Sequence, residues 1–140
     1  MLNRMLVAVD DSIPALAAAK LAIAVAQTRP TELNFVTVAE PGANADSILN
    51  HVATLAADAG IAATTTAIDG TQAFEALLAA AHQWRADVII MGRSDVRRPG
   101  QAYVGSQTEH LLEFTQIPVL VVPEPSLPPP GGGDSVTPTR

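Results

Sequence analysis

Apolar residues recur along the chain in two rhythms that take turns. Met5-Leu-Val-Ala-Val9 is an unbroken apolar run of strand length. Asp10-Asp11-Ser12 behind it supplies turn chemistry and a helix N-cap, and Pro14 suits a first helical turn. The spacing predicts a helix through Lys20 toward Gln27, stopped by Thr28-Arg29-Pro30. Residues 33–38, Leu-Asn-Phe-Val-Thr-Val, read as a second strand because β-branched and aromatic residues dominate them. Pro41 and Gly42 open a loop. Asp46-Ser47 is the expected cap of a second helix, in which Ile48, Val52, Leu55, Ala56 and Ala59 recur at three and four, and Gly60 ends it as a C-cap.

Ile61 to Ile68 reads as a weaker strand, and Asp69-Gly70-Thr71 leads into a third helix with the stripe Phe74, Leu77, Leu78, Ala81 and Trp84. A fourth strand is expected over Asp87 to Met91, then a loop from Gly92 to Val104. Gly105-Ser106 opens a fourth helix carrying Leu111, Leu112 and Phe114, and Pro118 to Val122 is the last strand. Five strands alternating with four helices predict an α/β three-layer sandwich: a parallel sheet with helices on both faces and right-handed crossovers. Ligands in such folds sit at the carboxyl ends of the strands.

Composition changes at Pro123. The stretch from there to Arg140 holds six of the eleven prolines and three of the nine glycines, too little apolar surface to offset its ordering entropy. A folded domain over 1–122 and a disordered Pro/Gly-rich tail over 123–140 are therefore expected, the tail being either an inert end or a segment for a proline-binding partner. At 140 residues the chain fits one domain. Its net charge of −6 disfavours a general grip on nucleic acid or anionic lipid. The absence of cysteine removes disulfides, thiolate catalysis and Cys-ligated metals. No apolar stretch exceeds the six residues of Leu21 to Ala26, far below the roughly 20 residues of a membrane span, and the amino terminus lacks signal-peptide features. The expectation is a soluble, cytoplasmic protein.

Candidate chemistry gathers where the strands end. Asp10 and Asp11 follow the first strand, Ala39 and Glu40 the second, and Gly92 onward the fourth. Arg93, Arg97 and Arg98 lie within six positions of an otherwise acidic chain. They precede a helix start whose N–H groups at Gly105, Ser106, Gln107 and Thr108 form an anion site suited to phosphate. The plain alternative is that Ser106 only caps its helix and the arginines only solvate a loop. Asp10 and Asp11 could hold magnesium, although neighbouring turn residues tend to point apart. No nucleophile–base arrangement appears. His51, His82 and His110 each fall on a predicted helix and read as solvated, Trp84 packs on the sheet, and Tyr103 either nears a ligand or anchors its loop.

Four segments resemble the universal stress protein family. Met-Leu-Val-Ala-Val-Asp-Asp-Ser resembles its opening strand and turn, Leu-Asn-Phe-Val-Thr-Val its second strand, Ala-Asp-Val-Ile-Ile-Met-Gly its fourth and Ile-Pro-Val-Leu-Val-Val its fifth. Together they span Met5 to Val122. The resemblance implies the strand order 3-2-1-4-5 and a homodimer with a stress or signalling role. It also implies an adenine nucleotide, ATP or AMP with or without magnesium, and at most slow ATPase activity. Alternatives are a preference for a cyclic dinucleotide and a dimeric interaction module that binds no nucleotide. Electron-transfer flavoproteins and adenine-alpha-hydrolase relatives share the architecture.

The contact positions implied by the resemblance are Val9, Asp10, Val38, Met91, Gly92, Arg93, Asp95, Gly105, Ser106, Gln107 and Thr108. Asp10 at the pocket rim and the Val38 backbone would frame adenine, Gly92 would lie by the ribose, and Gly105, Ser106 and Gln107 would hold phosphate. The family's spacing of Gly, two residues, Gly, nine residues, then Gly-Ser is kept, but its second glycine is Asp95, and Asp11 stands where glycine is common. Asp95 adds a Cβ and sets negative charge beside negative charge, unless Arg93, Arg97, Arg98 or magnesium neutralises it. As an edge, the short apolar last strand invites pairing with its copy through Val119, Leu120, Val121 and Val122, with Val119 and Val121 on one side. An unidentified protein partner would fit the same role.

Overall fold

The computed structural model describes residues 3–10, 12–39, 44–69, 73–93 and 115–123. In chain order these form β1 (Arg4–Ala8), α1 (Ile13–Thr28), β2 (Glu32–Ala39), α2 (Ala45–Asp58), β3 (Ala63–Asp69), α3 (Ala73–Trp84), β4 (Val88–Arg93) and β5 (Val119–Pro123). The five strands form one all-parallel sheet in the order β3-β2-β1-β4-β5, as the sequence reading expects. The expected fourth helix, most of the loop after Gly92 and the tail lie outside the described residues.

The central strands read as continuous apolar runs because both of their faces are covered. On one face α1 and α2 pack on Met5, Val7, Val9, Leu33, Phe35, Val88 and Ile90. On the other, Leu77 and Ala81 of α3 pack on Leu6, Val36, Ile89 and Met91. Alanines 18, 19 and 22 on the buried side of α1 are fully excluded from solvent, so this helix lies close over β1 and β4. Its start follows from Ser12, whose extended backbone turns the chain and whose hydroxyl accepts a 3.2 Å hydrogen bond from the Ala15 N–H.

Local boundaries differ from the sequence reading in ways that hydrogen bonds explain. The cap of α2 is Asn44, which accepts from Ser47 N at 3.3 Å, and not Asp46-Ser47. Asn serves that position as well, and Asp46 then falls in the first turn, where the helix dipole favours an anion. Strand β3 begins at Ala63 because Ile61 N donates back to Ala56 O and Gly60 N to Ala57 O, each at 2.9 Å, closing the end of α2. Strand β4 begins after Asp87, whose carboxylate accepts from Asn3 N (2.8 Å) and Arg4 N (2.9 Å). Strands β4 and β5 run on through Arg93 and Pro123, which face each other in register. Gly92 and Arg93 are thus strand residues and not the start of the loop.

Trp84 does meet the sheet. The guanidinium of Arg4 lies 4.3 Å from its ring centroid, and Arg4 Nε donates to the Trp84 carbonyl at 2.9 Å. Arg4 also pairs with exposed Glu32 at 3.1 Å. All these contacts gather at the amino ends of β1, β2 and β4, opposite the end where ligands are expected.

Candidate functional site

A recess of about 150 Å³ opens where β1, β2 and β4 end. Its walls include Val9, Asp10, Val38, Met91 and Gly92, so five of the positions singled out in the sequence meet in one place. Arg93 follows at the end of β4. Of the described arginines, Arg4, Arg29 and Arg85 belong to the amino end of the sheet, and Arg93 to the end where the recess lies. Asp95, Gly105, Ser106, Gln107 and Thr108 lie outside the described residues, as do Asp11 and Glu40.

Residues not singled out as site members also line it: Ala8, Ser12, Ala15, Val36 and Leu77. Strand alternation could have found Val36, two residues before Val38 on the same face. Leu77 belongs to the apolar stripe of α3, so its core role and its wall role coincide. Ala15 is there because the first turn of α1 crosses the end of β4. A Cβ on Gly92 would stand 2.3 Å from Pro14 C and 2.7 Å from Ala15 N, so only glycine fits beneath that turn.

The polar part of the site is set by where β1 stops. Asp10 Oδ1 accepts from Ser12 N at 2.8 Å, which shapes the turn into α1. Pairing of β1 with β2 ends at Ala8 opposite Val36, and Val9 N donates to Val36 O at 2.9 Å. In a parallel strand the N–H and C=O of one residue point to the same side, and every second residue repeats that side. The peptide groups of Val38 therefore face the β1 side beyond the point where β1 has turned away. An apolar hollow with one donor and one acceptor on its edge suits a flat heterocycle offering the complementary pair. Parallel topology also brings the amino ends of α1 and α2 to this end of the sheet, giving positive potential in an acidic chain.

Among the described residues, no group of three or more His, Cys, Asp or Glu side chains could hold a metal ion. Within the same residues no helix is long and apolar enough to cross a membrane. His51 and His82 are exposed on α2 and α3 and take no part in the recess.

Solved structures share this fold. The hypothetical protein MJ0577, whose biochemical function was assigned from its structure, superposes with a TM-score of 0.77 at 21% identity, covering 91% of this chain and 99% of that one. A universal stress protein in complex with cAMP gives 0.73 at 21% identity, with 89% and 98% covered. The universal stress protein of Archaeoglobus fulgidus in complex with dAMP gives 0.68 at 19% identity, with 87% and 99% covered. These likenesses speak to the fold. No curated protein sequence matches. The family model of the universal stress proteins matches residues 43–123, over half of the chain, and the protein belongs to the universal stress protein family.

Proposed function

We infer that this protein binds an adenine nucleotide, AMP in preference to ATP, and acts as a dimeric stress-response or signalling protein. The observation that carries the reading is the stretch of β2 at Val38 that runs on past the last pairing with β1 and borders the apolar recess. Adenine offers N1 as acceptor for an N–H and its exocyclic amine as donor to a C=O. Guanine offers its pair in the reverse order and would have to turn over in the recess, leaving a buried group unpaired. The relatives whose complexes hold cAMP and dAMP support a ligand with one phosphate. Asp95, which stands where the family spacing has glycine, weighs against a longer phosphate chain through its own charge.

Mass spectrometry of ligand released from the purified, undialysed protein comes first, then calorimetric titration with AMP, ATP and GMP, with and without magnesium. The expected order is AMP tightest, with GMP at least tenfold weaker. Asp95→Gly should raise ATP affinity more than tenfold, a change above about 1.4 kcal/mol. Absence of binding by every nucleotide at millimolar concentration would overturn the reading and leave a dimeric interaction module. An unchanged ATP affinity in Asp95→Gly would clear the aspartate of blame.

A further inference from the structure

A second hollow adjoins the recess. It is a groove of about 310 Å³ between the first turns of α1 and α2, and half of its lining is aliphatic: Ile13 and Leu16 from α1, Ile48 and Val52 from α2. Asp10 and Ser12 line both the groove and the recess, so the two hollows share a boundary at these two residues. Ile13 is 65% exposed, more than the other exposed large apolar residues among those described, Leu120 at 43% and Leu21 at 37%. An isoleucine so placed gains little for the fold by burial. It is available to a ligand.

We propose that the groove receives a short aliphatic group carried on the exocyclic amine of a bound adenine nucleotide, making an N6-alkylated adenine nucleotide the preferred ligand class. The proposal rests on the adenine reading above. A base whose N1 and amine edge lies on the Val38 peptide groups directs that edge into the gap between the ends of β1 and β2. The amine donates one hydrogen to the Val38 carbonyl, and its other position is open to substitution. Beyond the gap, past Asp10 and Ser12, stand the aliphatic side chains of the groove. Unsubstituted adenine would leave them in water, whereas an alkyl group of four or five carbons would cover Ile13 and its neighbours.

The test is calorimetric titration of the full chain with AMP and with N6-isopentyl-AMP. The substituted nucleotide should bind at least tenfold more tightly, the gain from burying about two methylene groups. In Ile13→Asn, an exposed change outside the recess, its affinity should fall back to that of AMP while AMP itself binds as before. Equal binding of the two nucleotides by the unaltered chain overturns the proposal and leaves the adenine reading standing. A gain that persists in Ile13→Asn overturns the placement in the groove. Binding of neither overturns both readings.

Discussion

A methyl group on Gly92 would stand 2.4 Å from the Pro14 carbonyl oxygen as well as against its carbonyl carbon. Both are backbone atoms of a helix held by buried alanines, so neither can swing aside as a flexible side chain would. Gly92→Ala should therefore cost more than about 2 kcal/mol in urea unfolding, the upper part of the range for overpacking. It should also weaken AMP binding, because Gly92 and Ala15 form a wall of the recess. A loss under about 0.5 kcal/mol would show that α1 can lift from the sheet. The glycine itself was singled out in the sequence as a site position. Its packing role was not, because nothing in the order of residues says that the first turn of α1 passes over the end of β4.

Helix ends make the same contrast among elements. The end of α2 turns through Gly60 at φ +80, with open space where a Cβ would go. Gly60→Ala is thus a test of backbone conformation alone and should cost about 1 kcal/mol, the penalty of the left-handed region for an L side chain. The end of α3 makes its turn with Arg85 at φ 60, and Ala86 N bonds back to Ala81 O at 2.9 Å. Arg85→Gly should remove that penalty and, after the added freedom of the unfolded chain, raise stability by about 0.5 kcal/mol. Parallel urea titrations of the two variants read both effects, and shifts of the same sign would refute the account. Gly60 was readable in advance, since glycine after an apolar stripe announces a helix end. Arg85 was not, because arginine carries no such signal and the surrounding contacts impose the conformation. Nor was the pair of hydrogen bonds by which Asp87 holds Asn3 and Arg4, which spans more than eighty positions of chain.

At the scale of the molecule, β5 and β3 are the edges of the sheet. Val119 and Val121 pack on the α3 side and Val122 on the other, leaving Leu120 43% exposed beside the open edge. A dimer through this strand is the expected assembly, and sedimentation at about 10 μM should give twice the chain mass. Leu120→Lys puts a charge on the edge and should shift the equilibrium to monomer. A monomeric unaltered chain would sink the prediction. The class of fold needed no more than the sequence, because apolar runs of strand length separated by helical stripes can be satisfied by little except a parallel sheet covered on both faces. Asp10 and Gly92 were also readable there, each following an expected strand, and Val38 through the family resemblance. Tertiary structure alone decided that these positions surround one recess, that the Val38 peptide groups outlast their neighbour β1, and that a groove between α1 and α2 opens beside them. The reason is that hydrophobic rhythm specifies which face of an element is buried, whereas the space between elements depends on how closely small residues such as Ala15 and Gly92 let them approach.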